Sequence, residues 1–236
     1  MVVPTAKEMA DALKQTGTSL FNKKLIDSPH IFHGLATEIT SHGQKSAKWA
    51  YEISESSPIE FRWVFNAHIQ KNIRPRIYAS ISVQQHAAGG ICFDRLDLAL
   101  EIIDDESNVL IKHHIDLANS PSGQFQAGPL FHLQFGGHTP KNSKMFEVPI
   151  KEPRWLCIPL DVVLLCEVVV ANFYPDEWVE LKQLPSWHNP IVTSQQLCIV
   201  PFLTALQNKA SATSQTLLDH LWAESLGSVY MAKGFC

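Results

Sequence analysis

From residue 60 to residue 135 the chain alternates apolar and polar side chains in five successive runs. In 60–69, Phe61, Trp63, Phe65, Ala67 and Ile69 fall on one side and Glu60, Arg62, Val64, Asn66 and His68 on the other. Ile77, Ala79, Ile81 and Val83 mark the second run, and Leu96, Leu98, Leu100 and Ile102 the third. Val109, Ile111, His113, Ile115 and Leu117 mark the fourth, and 130–135 is the fifth. A two-residue period is that of a strand with one buried face. The breaks are Arg74-Pro75, Gly89-Gly90, the polar turn at 104–108 and Asn119-Ser120-Pro121-Ser122-Gly123. All are shorter than the dozen or so residues of a parallel crossover. The pattern therefore predicts an antiparallel meander of four to five strands, with a face that something else must cover.

The cover is encoded further along. Residues 160–174 are nearly all apolar, interrupted by Asp161, Glu167 and Asn172. A helix apolar on most of its circumference is buried on most sides, and this one is too short to cross a bilayer. At the other end, Thr5-Ala6-Lys7-Glu8 has the form of a capping box, followed by Met9, Leu13, Thr16 and Leu20, which predicts a helix over 5–24. Leu217, Leu218, Leu221, Trp222 and Leu226 form an amphipathic stripe that Thr213 or Ser214 can cap and Gly227 can stop. Asp176-Glu177-Trp178 opens a short helical segment, and Pro185 and Pro190 bound a loop. Residues 138–154 read as an irregular surface loop. The expected fold is α+β: an antiparallel meander on a buried helix, with N-terminal and C-terminal helices. Residues 1–58 are expected to hold the first helix and an irregular segment with a short strand at 31–38, and 59–236 a single α+β domain.

Composition narrows the class. Of 236 residues, 45% are apolar and 18% charged, which excludes a disordered chain. The formal net charge of −4 excludes a strongly basic nucleic-acid binder. No charged start followed by an apolar run opens the sequence, so no signal peptide is expected. Cys92, Cys157, Cys166, Cys198 and Cys236 are widely spaced and odd in number. That argues against a disulfide framework or a structural zinc knuckle, and for a reducing cytoplasm.

Eleven histidines make metal chemistry the first question. His113, His114, His132 and His138 lie in or after two neighbouring strands. If those strands pair, His114 and His132 can share a face with Asp116, two positions from His114. Such a set with an open position suits a divalent metal; the plain alternative is strand histidines bonded to neighbours. The acids Asp94, Asp97, Glu101, Asp104, Asp105 and Glu106 concentrate near one hairpin and can hold a metal or simply solvate a turn. Neither a Gly-x-Gly-x-x-Gly strand–helix turn, nor a Walker lysine, nor a Gly-x-Ser-x-Gly elbow is present. Two small basic sets, Lys71, Arg74 and Arg76, then Lys141, Lys144, Lys151 and Arg154, make a local nucleic-acid contact conceivable.

Two resemblances follow from short motifs. His86-Ala87-Ala88-Gly89-Gly90-Ile91-Cys92-Phe93-Asp94 resembles the active-site segment of ubiquitin-conjugating enzymes, with Ala87-Ala88 in place of Pro-Asn. That resemblance implies thiol-ester transfer through Cys92, with His86 nearby. Residues 129–178, with Pro-Leu-Phe-His-Leu-Gln-Phe-Gly-Gly, Pro153-Arg154 and a helix closing in Ala171-Asn172-Phe173-Tyr174-Pro175, resemble a loose group of uncharacterised bacterial proteins. That likeness implies an accessory component of mobile or defence-related gene neighbourhoods.

Three functions are thus expected in order. The first is an accessory subunit of a bacterial, defence-related multi-protein complex. It would have no catalysis or cofactor of its own and would meet protein partners through Arg154 and the tryptophans Trp155, Trp178 and Trp187, residue types that anchor interfaces. The second is a metal-dependent hydrolase or nuclease using His114, His132 and Asp116. The third is thiol-ester transfer through Cys92. None of the three involves a membrane.

Overall fold

The computed structural model describes residues 3–43, 48–84, 92–118, 128–136, 154–210 and 216–222. It is an α+β fold in two layers, helices on one side of an antiparallel sheet.

Helix α1 (Ala6–Asn22) starts where the capping box places it. The Thr5 side chain accepts from the Glu8 N–H, and Glu8 reaches back to the Thr5 N–H at 2.7 Å. Helix α2 (His30–Gly43) occupies the segment expected to hold a strand at 31–38. Phe32, Leu35, Ala36 and Ile39 are its buried residues, a spacing of three and four rather than two. Short range did not separate the two readings; packing against α1 did. That packing is close because Gly17 on α1 has no side chain: an ideal Cβ there would lie 2.6 Å from Cβ of Phe32.

The sheet order is β1 (Lys48–Ile53), β4 (Lys71–Gln84), β5 (Phe93–Asp104), β6 (Val109–Leu117), β7 (Phe131–Phe135) and β8 (Trp155–Leu156). The short β2 (Ile59–Glu60) and β3 (Val64–Asn66) also pair with β4. Every pairing is antiparallel. The run over 60–69 is thus two short strands, because Phe61 turns inward and Arg62 donates its N–H to the Leu25 carbonyl. Pro75 does not end its strand: it pairs with Ile102 and its carbonyl accepts from the Phe61 N–H. β4 is therefore longer than the alternation indicated.

The face toward the helices carries Trp49, Tyr51, Ile53, Ile77, Ala79, Ile81, Leu96 and Leu98, all buried. On it lies α3 (Val162–Phe173), whose N-cap Asp161 is buried, accepts from the Leu164 N–H and takes the Ser194 hydroxyl at 2.7 Å. α4 (Pro175–Leu181) follows directly. The proline-bounded loop expected near residue 190 is instead part of α5 (Pro185–Ala210), with Pro190 and Pro201 inside the helix. Each proline removes one helical hydrogen bond, and burial of Trp187, Ile191, Leu197 and Phe202 outweighs that loss. The C-terminal helix, α6 (Leu217–Leu221), is shorter than the stripe suggested. Its cap is Thr216, which forms a capping box with Asp219. Thr213, Ser214, Leu226 and Gly227 lie outside the described residues, as does the expected loop over 138–153. One continuous core runs from Met9 to Leu221 and joins α1 and α2 to the sheet. No helix among the described residues is long and apolar enough to cross a membrane.

Candidate functional site

Among the described residues no helix covers the second face of the sheet, and strand register decides which of them meet on it. Ser80 pairs with Asp97, Asp97 with Asp116, and Asp116 with His132, so four polar residues form one row across β4, β5, β6 and β7. Glu52 of β1 pairs with Ser80 and extends the row. One step along, Tyr78, Ala99, His114 and Gln134 form a second row; Arg76, Glu101 and Lys112 form a third. Ser80, Asp97 and Asp116 of the first row, Tyr78, His114 and Gln134 of the second and Lys112 of the third, with residues 52–55 as a wall, border an open groove of about 500 Å³.

Where the first two rows meet, Asp97, His114 and Asp116 each offer a ligand atom, and these atoms all lie within 4.8 Å of one another. Two carboxylates and an imidazole at that spacing form a donor set for a divalent cation. The electrostatics fit. Burial and then the Asp97 charge push the Asp116 carboxyl up to about 7, against the opposing influence of Arg154. Asp116 Oδ1 is buried with no hydrogen-bond partner among the described residues. A bound cation relieves both the repulsion and the missing partner. His132, opposite Asp116, is pushed down to about 4 by burial and then by Arg154, so it is neutral at pH 7. It therefore adds no competing positive charge to the site.

His114 and His132 thus share a face, but they are diagonal neighbours: His114 stands opposite Gln134, and Asp116 opposite His132. His113 points to the helix side, its ring edge-on to Phe135 at 4.9 Å. His138 lies outside the described residues. Asp97 was expected only as one of six acids near a hairpin that can hold a metal or solvate a turn, and was not joined to His114 and Asp116. The available signal was the same-face offset that pairs it with Asp116, and that offset requires the register.

Cys92 is 1% exposed within the core, whereas a nucleophile must meet its substrate; His86 lies outside the described residues. Lys71 pairs with Asp104 at 2.8 Å, Arg74 with Glu60 at 2.7 Å and Arg76 with Glu60 at 2.8 Å. That basic set is therefore engaged in ion pairs within the sheet. Lys141, Lys144 and Lys151 lie outside the described residues. Of the three tryptophans, Trp155 is 56% exposed, Trp178 is partly buried under the Lys182 ammonium, and Trp187 is 1% exposed. Arg154 packs over Gly128, whose φ of +143° suits glycine and whose absent Cβ would sit 3.2 Å from Arg154 Cδ. Cys92, Cys157, Cys166 and Cys198 form no disulfide.

No protein-family model matches this chain, and no curated protein and no solved structure matches it either.

Proposed function

We propose that the chain is a divalent-metal-dependent hydrolase or nuclease whose centre is the Asp97, His114 and Asp116 set. The observation that carries this reading is the convergence of three ligand atoms within 4.8 Å, on adjacent strands, inside a groove. Three protein ligands leave coordination positions open toward the groove. A cation held there supplies Lewis acidity and lowers the pKa of a bound water. The residues hold it in place: His114 and Asp116 from one strand, Asp97 from the next. The test is calorimetric titration of Mn²⁺ into the purified chain. One cation should bind per chain, and His114→Ala or Asp97→Asn should weaken binding about tenfold or more, equivalent to ~1.4 kcal/mol. Hydrolysis of model esters should stop with a chelator and return with Mn²⁺. Failure of the wild-type chain to bind the cation removes the reading.

A second reading, an accessory subunit of a bacterial, defence-related complex acting in the cytoplasm, is supported by a different observation. Phe135, Trp155, Leu156 and Ile158 are all large apolar residues at the β7–β8 end of the sheet and all exposed, with Arg154 beside them. Tryptophan and arginine next to exposed apolar surface suit a protein partner. Co-expression with the products of neighbouring genes should give a co-purifying complex that Trp155→Ala weakens by about tenfold or more, as for an interface anchor. A complex indifferent to that substitution would count against this surface.

A further inference from the structure

The cation set lies next to a positive charge that it also controls. Arg95 Nη2 lies 3.7 Å from Asp97 Oδ2, and both side chains are about half exposed. Arg95 and Asp97 are two residues apart on β5, so they project from the same face, and both border the groove. An exposed ion pair at that distance is weak, so a competing ligand can take either partner. The groove's other strong cation is differently held. Lys112 is 8% exposed, with its ammonium 4.9 Å from the Tyr78 ring centroid and 3.4 Å from Glu55.

We propose that Arg95 is the anion-binding residue of this site and that the site takes phosphorylated ligands, cation first. When a divalent cation takes the Asp97 carboxylate, the guanidinium loses its partner and meets a phosphoryl group whose other oxygen sits on the cation. Guanidinium and phosphate match in geometry and charge. Before cation binding, the Asp97 carboxylate repels the same phosphoryl group. Cation and phosphate therefore bind with positive, reciprocal coupling. This inference rests on the cation site proposed above.

The experiment is calorimetric titration of phenyl phosphate into the full chain, with and without saturating Mn²⁺, for wild type and Arg95→Gln. The wild type should bind phenyl phosphate about tenfold more tightly with Mn²⁺. Arg95→Gln should bind Mn²⁺ at least as tightly as the wild type, since no guanidinium competes for Asp97, and should lose that gain. Its side chain is exposed, so the fold should be unaffected, which circular dichroism checks. Equal phenyl phosphate affinity with and without Mn²⁺, or a gain that survives in Arg95→Gln, overturns the inference while leaving the cation site standing. A wild type that binds no Mn²⁺ overturns the site itself. Competition by a short single-stranded oligonucleotide would trace the phosphoryl group to a nucleic-acid chain, and its absence alongside a Mn²⁺-dependent gain would trace it to a small monoester; each supports the inference.

Discussion

Asp116→Asn should weaken cation binding about 100-fold and stabilise the fold above pH 7. The substitution keeps the shape and removes the charge, so a loss of about 100-fold in Mn²⁺ affinity, ~2.8 kcal/mol, is expected. Stability moves the opposite way. The folded-state pKa of Asp116, about 7, is above its ordinary 3.8, so the folded chain keeps a proton there that the unfolded chain releases. Stability on this account falls as pH rises from about 4 to about 7. His132 acts in the opposite sense. Its folded-state pKa of about 4 is below the ordinary 6.5, so stability rises with pH across that interval. The two nearly cancel between pH 4 and 6.5. Wild type should therefore be close to flat there with respect to this pair, whereas Asp116→Asn should climb. At pH 8 the variant should exceed wild type by about 2 to 3 kcal/mol, allowing for partial solvent access. Urea denaturation at a series of pH values reads this directly. A variant less stable than wild type at pH 8 would contradict the burial argument. In wild type, Mn²⁺ affinity should rise about tenfold per pH unit below 7 and level above it, because the cation displaces one proton.

Gly17→Ala should destabilise the helical layer despite adding a better helix former. In an exposed helix alanine gains up to about 1 kcal/mol over glycine. Here the new Cβ would lie 2.6 Å from Cβ and Cγ of Phe32, atoms near the backbone that cannot swing aside. Phe32 is buried between α1 and the core, so relief requires that α2 shift as a body. Overpacking of this kind outweighs the propensity gain, and a net loss of ~2 kcal/mol is expected. For a chain of this size the melting temperature should fall by about 4 to 8 °C. Gly34→Ala is the control: nothing lies within 4 Å of its ideal Cβ, so that substitution should be neutral or stabilising. Thermal melts of the two variants side by side distinguish a helix-propensity effect from a packing effect.

The meander was legible because a half-buried strand imposes a period of two on its own sequence. Leu96, Leu98, Leu100 and Ile102 show that period without reference to any partner. The buried helix after Leu160 and the Thr5–Glu8 box were legible for the same reason, since apolar content and capping chemistry are local. Residues 30–43 were not, because Ile31, Phe32, Leu35 and Ile39 fit a short strand or a helix until α1 supplies the groove they fill. The prolines of α5 misled because a propensity penalty is small beside the burial of Trp187 and Phe202. Trp187 was expected among the interface tryptophans, whereas the fold buries it in the core.

His114 and Asp116 were already placed on one face by their two-residue spacing, and that much belongs to the sequence. Which side chains stand across from them depends on how far β5 and β7 slide against β6, and a slip of one residue would send every side chain of a strand to the other face. Only the folded sheet, with its helix face committed to the core, settles that slide. It thereby brings Asp97 to Asp116 and sets His132 beside them as a neutral imidazole. Local alternation is written residue by residue along the chain, whereas register is a property of whole strands held in place by the burial of their opposite faces.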